Sequence, residues 1–148
     1  MKTIGSVLAI ALSTAALINS TTAIAQSPTT ATQFSSVSGT VTYRQRIALP
    51  PNALVQVQLQ DTSKQDTAAV VIGEQIIPTQ GRQVPFPFEI NYNSNTINPR
   101  NTYTVQARIF VDNKLSFINT NSYPVITNGN PNKVEIVVNQ VGSSRQPR

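Results

Sequence analysis

The residues best suited to contact a partner are two arginines spaced two positions apart. Arg44 and Arg46 lie in the segment Tyr43-Arg44-Gln45-Arg46-Ile47-Ala48-Leu49-Pro50-Pro51. On a strand, residues i and i+2 point to the same face about 6.5–7 Å apart, so both guanidiniums would project opposite Tyr43. Each guanidinium can bind a carboxylate through two parallel hydrogen bonds. The candidate partner-binding residues are therefore Arg44, Arg46, Leu49, Pro50 and Pro51.

The same arginines have a second interpretation that the sequence leaves open. They would form a charged face in solvent, or would pair with a carboxylate on a neighbouring strand. The carboxylates available for such a pair are Glu74, Glu89 and Glu135.

Catalytic chemistry is poorly represented in this chain. It has no histidine and no cysteine, which excludes histidine-based triads, thiolate nucleophiles and zinc sites built from these residues. A glycosidase needs two carboxylates about 5–9 Å apart. Asp61 and Asp66 flank one loop, but its polar residues favour a solvated turn. The sequence predicts a protein that is not an enzyme and that uses no metal or cofactor.

The elements that position these residues are strands. Apolar residues recur at every second position from Val37 onward, which is the pattern of half-buried strands. Asp112-Asn113 joins two such runs at the spacing of a hairpin. We predict an all-β fold, a compact antiparallel β-sandwich of about seven strands with helix only in the signal peptide. The predicted strands cover residues 37–44, 55–60, 69–77, 84–92, 103–112, 115–120 and 133–138.

The segment Val84-Pro85-Phe86-Pro87-Phe88 predicts an edge strand. Pro85 and Pro87 lack an N–H on the same side of the strand, while Phe86 and Phe88 keep theirs on the other side. This arrangement protects an exposed edge against pairing with another chain. The alternative is an aromatic ledge for a ligand.

The N-terminus has the features of an export signal. Lys2 precedes a mostly apolar stretch from Ile4 to Ile18, and Ala23-Ile24-Ala25 provides small residues for cleavage. The stretch is shorter than the roughly 20 apolar residues of a spanning helix, which is the alternative. We predict a signal peptide at 1–25 cleaved between Ala25 and Gln26, a flexible leader at 26–36, a β-sandwich domain at 37–141 and a disordered tail at 142–148.

Charge and composition limit the partners further. The chain has 11 basic and 6 acidic residues, but the basic residues are scattered, whereas nucleic-acid binders usually show a clustered footprint. The absence of cysteine excludes disulfides and predicts no lipid anchor. We expect a periplasmic or secreted protein, soluble after signal cleavage, that binds no nucleic acid. Its oligomeric state is not indicated.

One block of residues carries a family resemblance. Val37-x-Gly39-x-x-x-Tyr43-Arg44-x-Arg46-x-Ala48-Leu49-Pro50-Pro51-x-Ala53 resembles the opening of the YbaY/YscW-like family, and shorter matches follow. That family includes envelope lipoproteins of unknown role and the type III secretion lipoprotein chaperones, or pilotins. The resemblance covers residues 37–138. It implies a β-sandwich, an envelope location and, for the pilotin branch, chaperoning of a secretin.

These observations favour an exported, non-catalytic binding module, chaperone-like towards an envelope protein. Two alternatives remain. The first is a module that binds glycan or peptidoglycan through Tyr92, Tyr103 and Phe110. The second is a protein resembling a protease inhibitor, in which Leu49-Pro50-Pro51 would present an extended segment.

Overall fold

The computed structural model describes residues 31–142, together with the isolated residues 16 and 25. Apart from those two positions, the predicted signal peptide, the leader up to residue 30 and the tail from residue 143 lie outside the described residues. The predicted cleavage between Ala25 and Gln26 therefore stays a prediction. Within the described part of the chain, no helix has the length and apolar character needed to cross a membrane.

The described residues form an all-β fold, as predicted. Its helical content is a single 3₁₀ turn at Ser94–Thr96. The first strand begins three residues before the predicted start, so residues 34–36 of the predicted flexible leader are strand. The count exceeds seven because two strands have only two residues each. The strands are β1 Phe34–Thr42, β2 Leu54–Asp61, β3 Val70–Pro78, β4 Phe86–Asn93, β5 Tyr103–Val111, β6 Lys114–Ile118, β7 Pro124–Val125, β8 Lys133–Val137 and β9 Asn139–Gln140.

The strands form two sheets that pack as a sandwich. The small sheet has the order β4-β1-β8, and the large sheet has the order β3-β2-β5-β6-β9 with β7 paired to β5. Among the described strands, β1 and β8 pair in parallel, whereas the other pairs are antiparallel. This parallel pair departs from the antiparallel sandwich that alternation predicted. It brings Ser38 beside Lys133 and Thr42 beside Val137.

The core lies between the two sheets. The alternating residues of β1, β2, β4 and β5 point inward, and at their interior positions they are almost fully buried. Each fully buried aliphatic or aromatic side chain contributes about 1.5–3 kcal/mol relative to its exposed state. The largest fully buried side chains are Tyr103, Phe86, Phe117, Leu59, Ile90, Ile109 and Ile136.

The small sheet depends on a close backbone approach at Gly39. A Cβ atom at this position would lie 1.8 Å from the carbonyl oxygen of Val134 and 3.0 Å from the ring of Phe88. Gly39 is paired with both residues across β1, one on each neighbouring strand. Only glycine therefore fits between them.

The strand β4 is an edge strand, as predicted from its prolines. It pairs with β1 on one side only. On its open side, Pro85 and Pro87 offer no donor, and the N–H of Glu89 donates to Gln75 Oε1 of β3 at 2.8 Å. The edge where the two sheets meet is thus closed by one side chain and two prolines.

The opposite edge of the small sheet is closed differently. The N–H of Val137 in β8 donates to the phenol oxygen of Tyr123 at 2.9 Å. The next residue, Val138, donates its N–H to the Thr42 carbonyl at 2.8 Å, and β9 then pairs with β6 of the large sheet. The C-terminal segment therefore passes from one sheet to the other.

Candidate partner-binding surfaces

Arg44 and Arg46 lie beyond the end of β1, and the prediction that they project from the strand was wrong. β1 ends at Thr42, and the chain then bends because the phenol of Tyr43 donates a hydrogen bond to the carbonyl of Ile47 at 2.8 Å. The ring of Tyr43 stacks on Phe117, with ring centroids 4.9 Å apart. Burial raises the pKa of Tyr43, so its phenol remains a donor at neutral pH.

Both guanidiniums face solvent without a carboxylate partner among residues 31–142. Arg44 and Arg46 are exposed, and neither has an ion pair within the described part of the chain. One of the carboxylates considered for them, Glu74, instead accepts hydrogen bonds from the amides of Gln56 and Gln58. The two arginines therefore retain their donors for another molecule.

The proline-containing part of this loop is tied down by one side chain. Leu49 donates its N–H to Gln83 Oε1 at 2.8 Å, and Gln83 Nε2 donates to the Leu49 carbonyl at 3.1 Å. The side chain of Leu49 is 5% exposed and belongs to the core. Its selection as a partner-contacting residue is therefore corrected: burial makes Leu49 an anchor. Pro50 is half-buried and Pro51 is exposed.

This anchoring also removes the basis of the protease-inhibitor alternative. An inhibitor of the kind considered would offer free backbone in an extended segment, as in β-strand addition. Here both backbone polar groups of Leu49 are occupied by Gln83. The Pro50 carbonyl accepts the N–H of Ala53 at 3.0 Å, which closes a turn.

Between the two arginines lies Gln45, whose side chain has an unsatisfied hydrogen-bond acceptor among the described residues. Its Oε1 atom is buried and has no partner among the described residues. Leaving a buried acceptor unsatisfied costs about 1–3 kcal/mol. Local departures of this kind are expected where function, not stability, selects the residues.

A second surface was missed by the sequence interpretation. On the outer face of the large sheet, apolar side chains from four adjacent strands lie side by side. Leu54 pairs with Phe110, which in turn pairs with Leu115. In the next row Ile76 and Ile118 lie at the two ends, and Gln56 and Arg108 lie between them. We call Leu54, Ile76, Phe110, Leu115 and Ile118 the apolar patch. Ile76 is 57% exposed, Leu115 38% and Leu54 36%.

The signal for this patch was present in the sequence as apolar residues at positions where alternation requires polar ones. In β2, Leu54 shares the face of Gln56 and Gln58, and in β5, Phe110 shares the face of Gln106 and Arg108. Contiguous exposed apolar residues are typical of interaction sites, whereas single ones are ordinary.

Next to the patch runs a network of glutamines that ends at a cation. Gln60 Nε2 donates to Gln58 Oε1 at 2.9 Å and to Gln106 Oε1 at 3.1 Å. Gln106 Oε1 also accepts from Arg108 Nη2 at 2.6 Å. Arg108 thus lies between the polar network and the apolar patch.

The polar loop that follows Asp61, the last residue of β2, is held by hydrogen bonds. It borders a cavity of about 300 Å³. The Ser63 hydroxyl donates to Asp61 Oδ1 at 2.5 Å and accepts the N–H of Thr102 at 2.8 Å. The Ser63 hydroxyl bond is the main reason that the pKa of Asp61 lies below its ordinary value. The carboxylate of Asp61 is held in place by Ser63 and Asn101.

The aromatic residues proposed for glycan binding are mostly in the core. Tyr103 is 1% exposed and Tyr92 5% exposed, so their rings cannot stack on a sugar. Phe110 is half-buried on the outer face and belongs to the apolar patch. Among residues 31–142, no group of three or more acidic side chains converges to hold a metal ion.

Comparisons with known proteins agree with the fold and with the resemblance. Residues 32–138 match the family described as "Type III secretion system lipoprotein chaperone (YscW)". A solved pilotin from the type II secretion system of Vibrio cholerae, titled an alternative pilotin, superposes with a TM-score of 0.72 and 44% identity. The match covers 74% of this chain and 98% of that one.

A curated relative, the uncharacterized lipoprotein YbaY of Escherichia coli K12, is 38% identical over 108 residues. This match covers 73% of the present chain and 57% of the relative, so the chain spans little more than half of that protein. Two of these names describe lipoproteins, which disagrees with the prediction of no lipid anchor that rests on the absence of cysteine from this sequence. The chain belongs to the YscW family, in agreement with the YbaY/YscW-like resemblance of its Val37–Ala53 block.

Proposed function

We propose that this chain is an exported, non-catalytic binding module that acts as a chaperone for another protein of the cell envelope. The names of its relatives support a chaperone role and an envelope location. The observation that carries the proposal is the loop from Arg44 to Pro51, on which two exposed guanidiniums have no carboxylate partner among residues 31–142.

The loop suits binding because it is fixed before a partner arrives. The Tyr43 phenol holds its first turn, and Gln83 holds the backbone of Leu49. A preorganised loop loses little conformational freedom on binding, so more of the interaction energy appears as affinity. The exposed side chains of Arg44, Arg46 and Ile47 combine charge with an apolar contact.

The chemistry of this loop indicates a partner surface that carries carboxylates. Arginine binds carboxylates in a bidentate manner and is enriched at interfaces. Because relatives are described as chaperones and pilotins of secretion systems, a secretion-system protein of the envelope is the first partner to test. The chain would reach it as a soluble periplasmic or secreted protein.

Affinity capture from envelope extracts of the source organism tests this proposal. Full-length tagged protein is compared with the double variant Arg44→Ala/Arg46→Ala and with Arg100→Ala, an exposed arginine of the β4–β5 loop, as a matched control. We expect the double variant to lose about tenfold in affinity for the captured protein, corresponding to about 1.4 kcal/mol. Equal capture by all three proteins would reject the arginine loop as the binding site.

A further inference from the structure

The apolar patch and Arg108 together form a surface that combines exposed apolar side chains with a positive charge. The patch spans β3, β2, β5 and β6 in two rows. Four strands spaced about 4.8 Å apart make it about 14 Å wide, and the two rows are about 7 Å apart. These dimensions fit a short peptide segment.

Arg108 gives the surface its charge. It pairs with Gln56 on one side and with Ile118 on the other, and Phe110 lies two residues further along the same strand and face. Its Nη2 donates to Gln106, but no carboxylate among residues 31–142 pairs with it. A guanidinium has five N–H donors, so most of its donors remain available.

Neither acidic group near this face pairs with Arg108. The carboxylate of Asp112, in the turn between β5 and β6, accepts from the amide of Asn52. Glu74 lies one row further along the sheet, opposite Gln58, and its carboxylate accepts from the amides of Gln56 and Gln58. The cation beside the patch therefore lacks an intramolecular counter-charge, and an occupant that brings a carboxylate would supply it.

We propose that the outer face of the large sheet binds a short peptide segment of another protein, one that combines apolar side chains with at least one carboxylate placed against Arg108. The apolar side chains of the segment cover the patch, and its carboxylate pairs with the guanidinium.

A second copy of this chain is a poorer occupant. A stable interface buries about 800 Å² on each partner, far more than this patch offers. A two-fold axis through the patch would also bring the two Arg108 guanidiniums together, and like charges at an interface are unfavourable.

The binding of synthetic peptides to the purified full-length protein tests the inference. Fluorescence anisotropy is measured with three labelled peptides of equal length and equal leucine content, whose polar positions are all Glu, all Gln or all Lys. We expect the Glu peptide to bind at least about tenfold more tightly than the other two, and this preference to weaken with salt.

Variants locate the site. Arg108→Gln is expected to lower affinity for the Glu peptide about tenfold and to abolish the preference over Gln. Ile76→Thr is expected to weaken binding of all peptides, whereas Val70→Thr, an exposed control at the other end of β3, leaves binding unchanged. Thermal unfolding of each variant verifies that it is folded.

Several results would overturn the inference. The first is equal affinity for the three peptides, and the second is unchanged binding by Arg108→Gln. The third is loss of binding in Arg44→Ala/Arg46→Ala alone, which would assign the peptides to the loop from Arg44 to Pro51. Co-sedimentation with vesicles containing phosphatidylglycerol that is lost in Ile76→Thr would identify a membrane surface instead. Dimerisation through the patch, detected by analytical ultracentrifugation, would also exclude a peptide site. Because the arginine loop is tested separately by envelope capture, either surface can fail without the other.

Discussion

The outer faces of the two sheets differ in their apolar content. The small sheet presents a central column of hydroxyl side chains, Ser36, Ser38, Thr40 and Thr42, bordered by Pro87, Glu89, Lys133 and Glu135. Its groove of about 520 Å³ is lined by such residues. The large sheet presents the apolar patch beside Arg108. This difference indicates that the small sheet mainly covers the core, whereas the large sheet also offers exposed apolar side chains that a partner can bury.

The largest effect is expected at the closest backbone contact of the small sheet. Gly39→Ala places a methyl group where the Val134 carbonyl already lies, so we expect a loss of about 3 kcal/mol or more in the free energy of unfolding. Urea denaturation followed by circular dichroism measures this loss. Gly81→Ala is the control: its φ of +80° is unfavourable for alanine, but no atom lies within 4 Å of its new Cβ, so the expected loss is about 1 kcal/mol. Similar losses in both variants would contradict the assigned role of Gly39.

A smaller effect is expected where side chains close the edges of the small sheet. Tyr123→Phe removes the acceptor of the Val137 N–H. We expect a loss of about 1 kcal/mol in the free energy of unfolding and faster hydrogen exchange at Val137. Gln75→Ala removes the acceptor of the Glu89 N–H, but Glu89 is exposed and water replaces the bond. A larger loss in the free energy of unfolding for Gln75→Ala than for Tyr123→Phe would contradict this order.

The smallest effect is expected at the end of β2 in the large sheet, and it depends on pH. The pKa of Asp61 is lowered in the folded state, chiefly by the Ser63 hydroxyl. Its contribution to stability is therefore fully present above the ordinary aspartate pKa of about 4 and is lost as the pH falls through the lower folded-state value. Ser63→Ala should reduce this loss on acidification and leave the slope of stability near pH 7 unchanged. Unfolding curves recorded across the range of carboxylate titration, roughly pH 2 to pH 7, measure this loss of stability. An unchanged slope of stability at acid pH would rule out the Ser63 contribution.

Much of the fold follows from local pattern. The period-two alternation placed β2, β5 and β8, because each strand has one face in the core. The positive φ of Asp112 and Asn113 confirms the predicted primed hairpin turn. The prolines at 85 and 87 located the edge strand because a missing N–H is a property of the residue itself.

What the sequence did not provide depends on distant pairing. The parallel alignment of β1 with β8 joins segments nearly a hundred positions apart, as in the Ser38–Lys133 pair, and alternation does not encode which strand lies beside which. The Arg44 and Arg46 prediction failed because β1 ends at Thr42 and the Tyr43 hydrogen bond to Ile47 bends the chain that follows. The apolar patch was missed because Leu54, Phe110 and Ile76 lie on three different strands, and the sequence pattern does not give the strand pairing that brings them together.

The pairing of the first strand with the penultimate one has a consequence for the order of folding. The β1–β8 ladder requires residues 38–42 and 133–137 at the same time, so the small sheet cannot be completed while the C-terminal quarter of the chain is still being synthesised or translocated. Contacts between distant segments also slow folding. The export proposed for this chain would therefore precede completion of the small sheet.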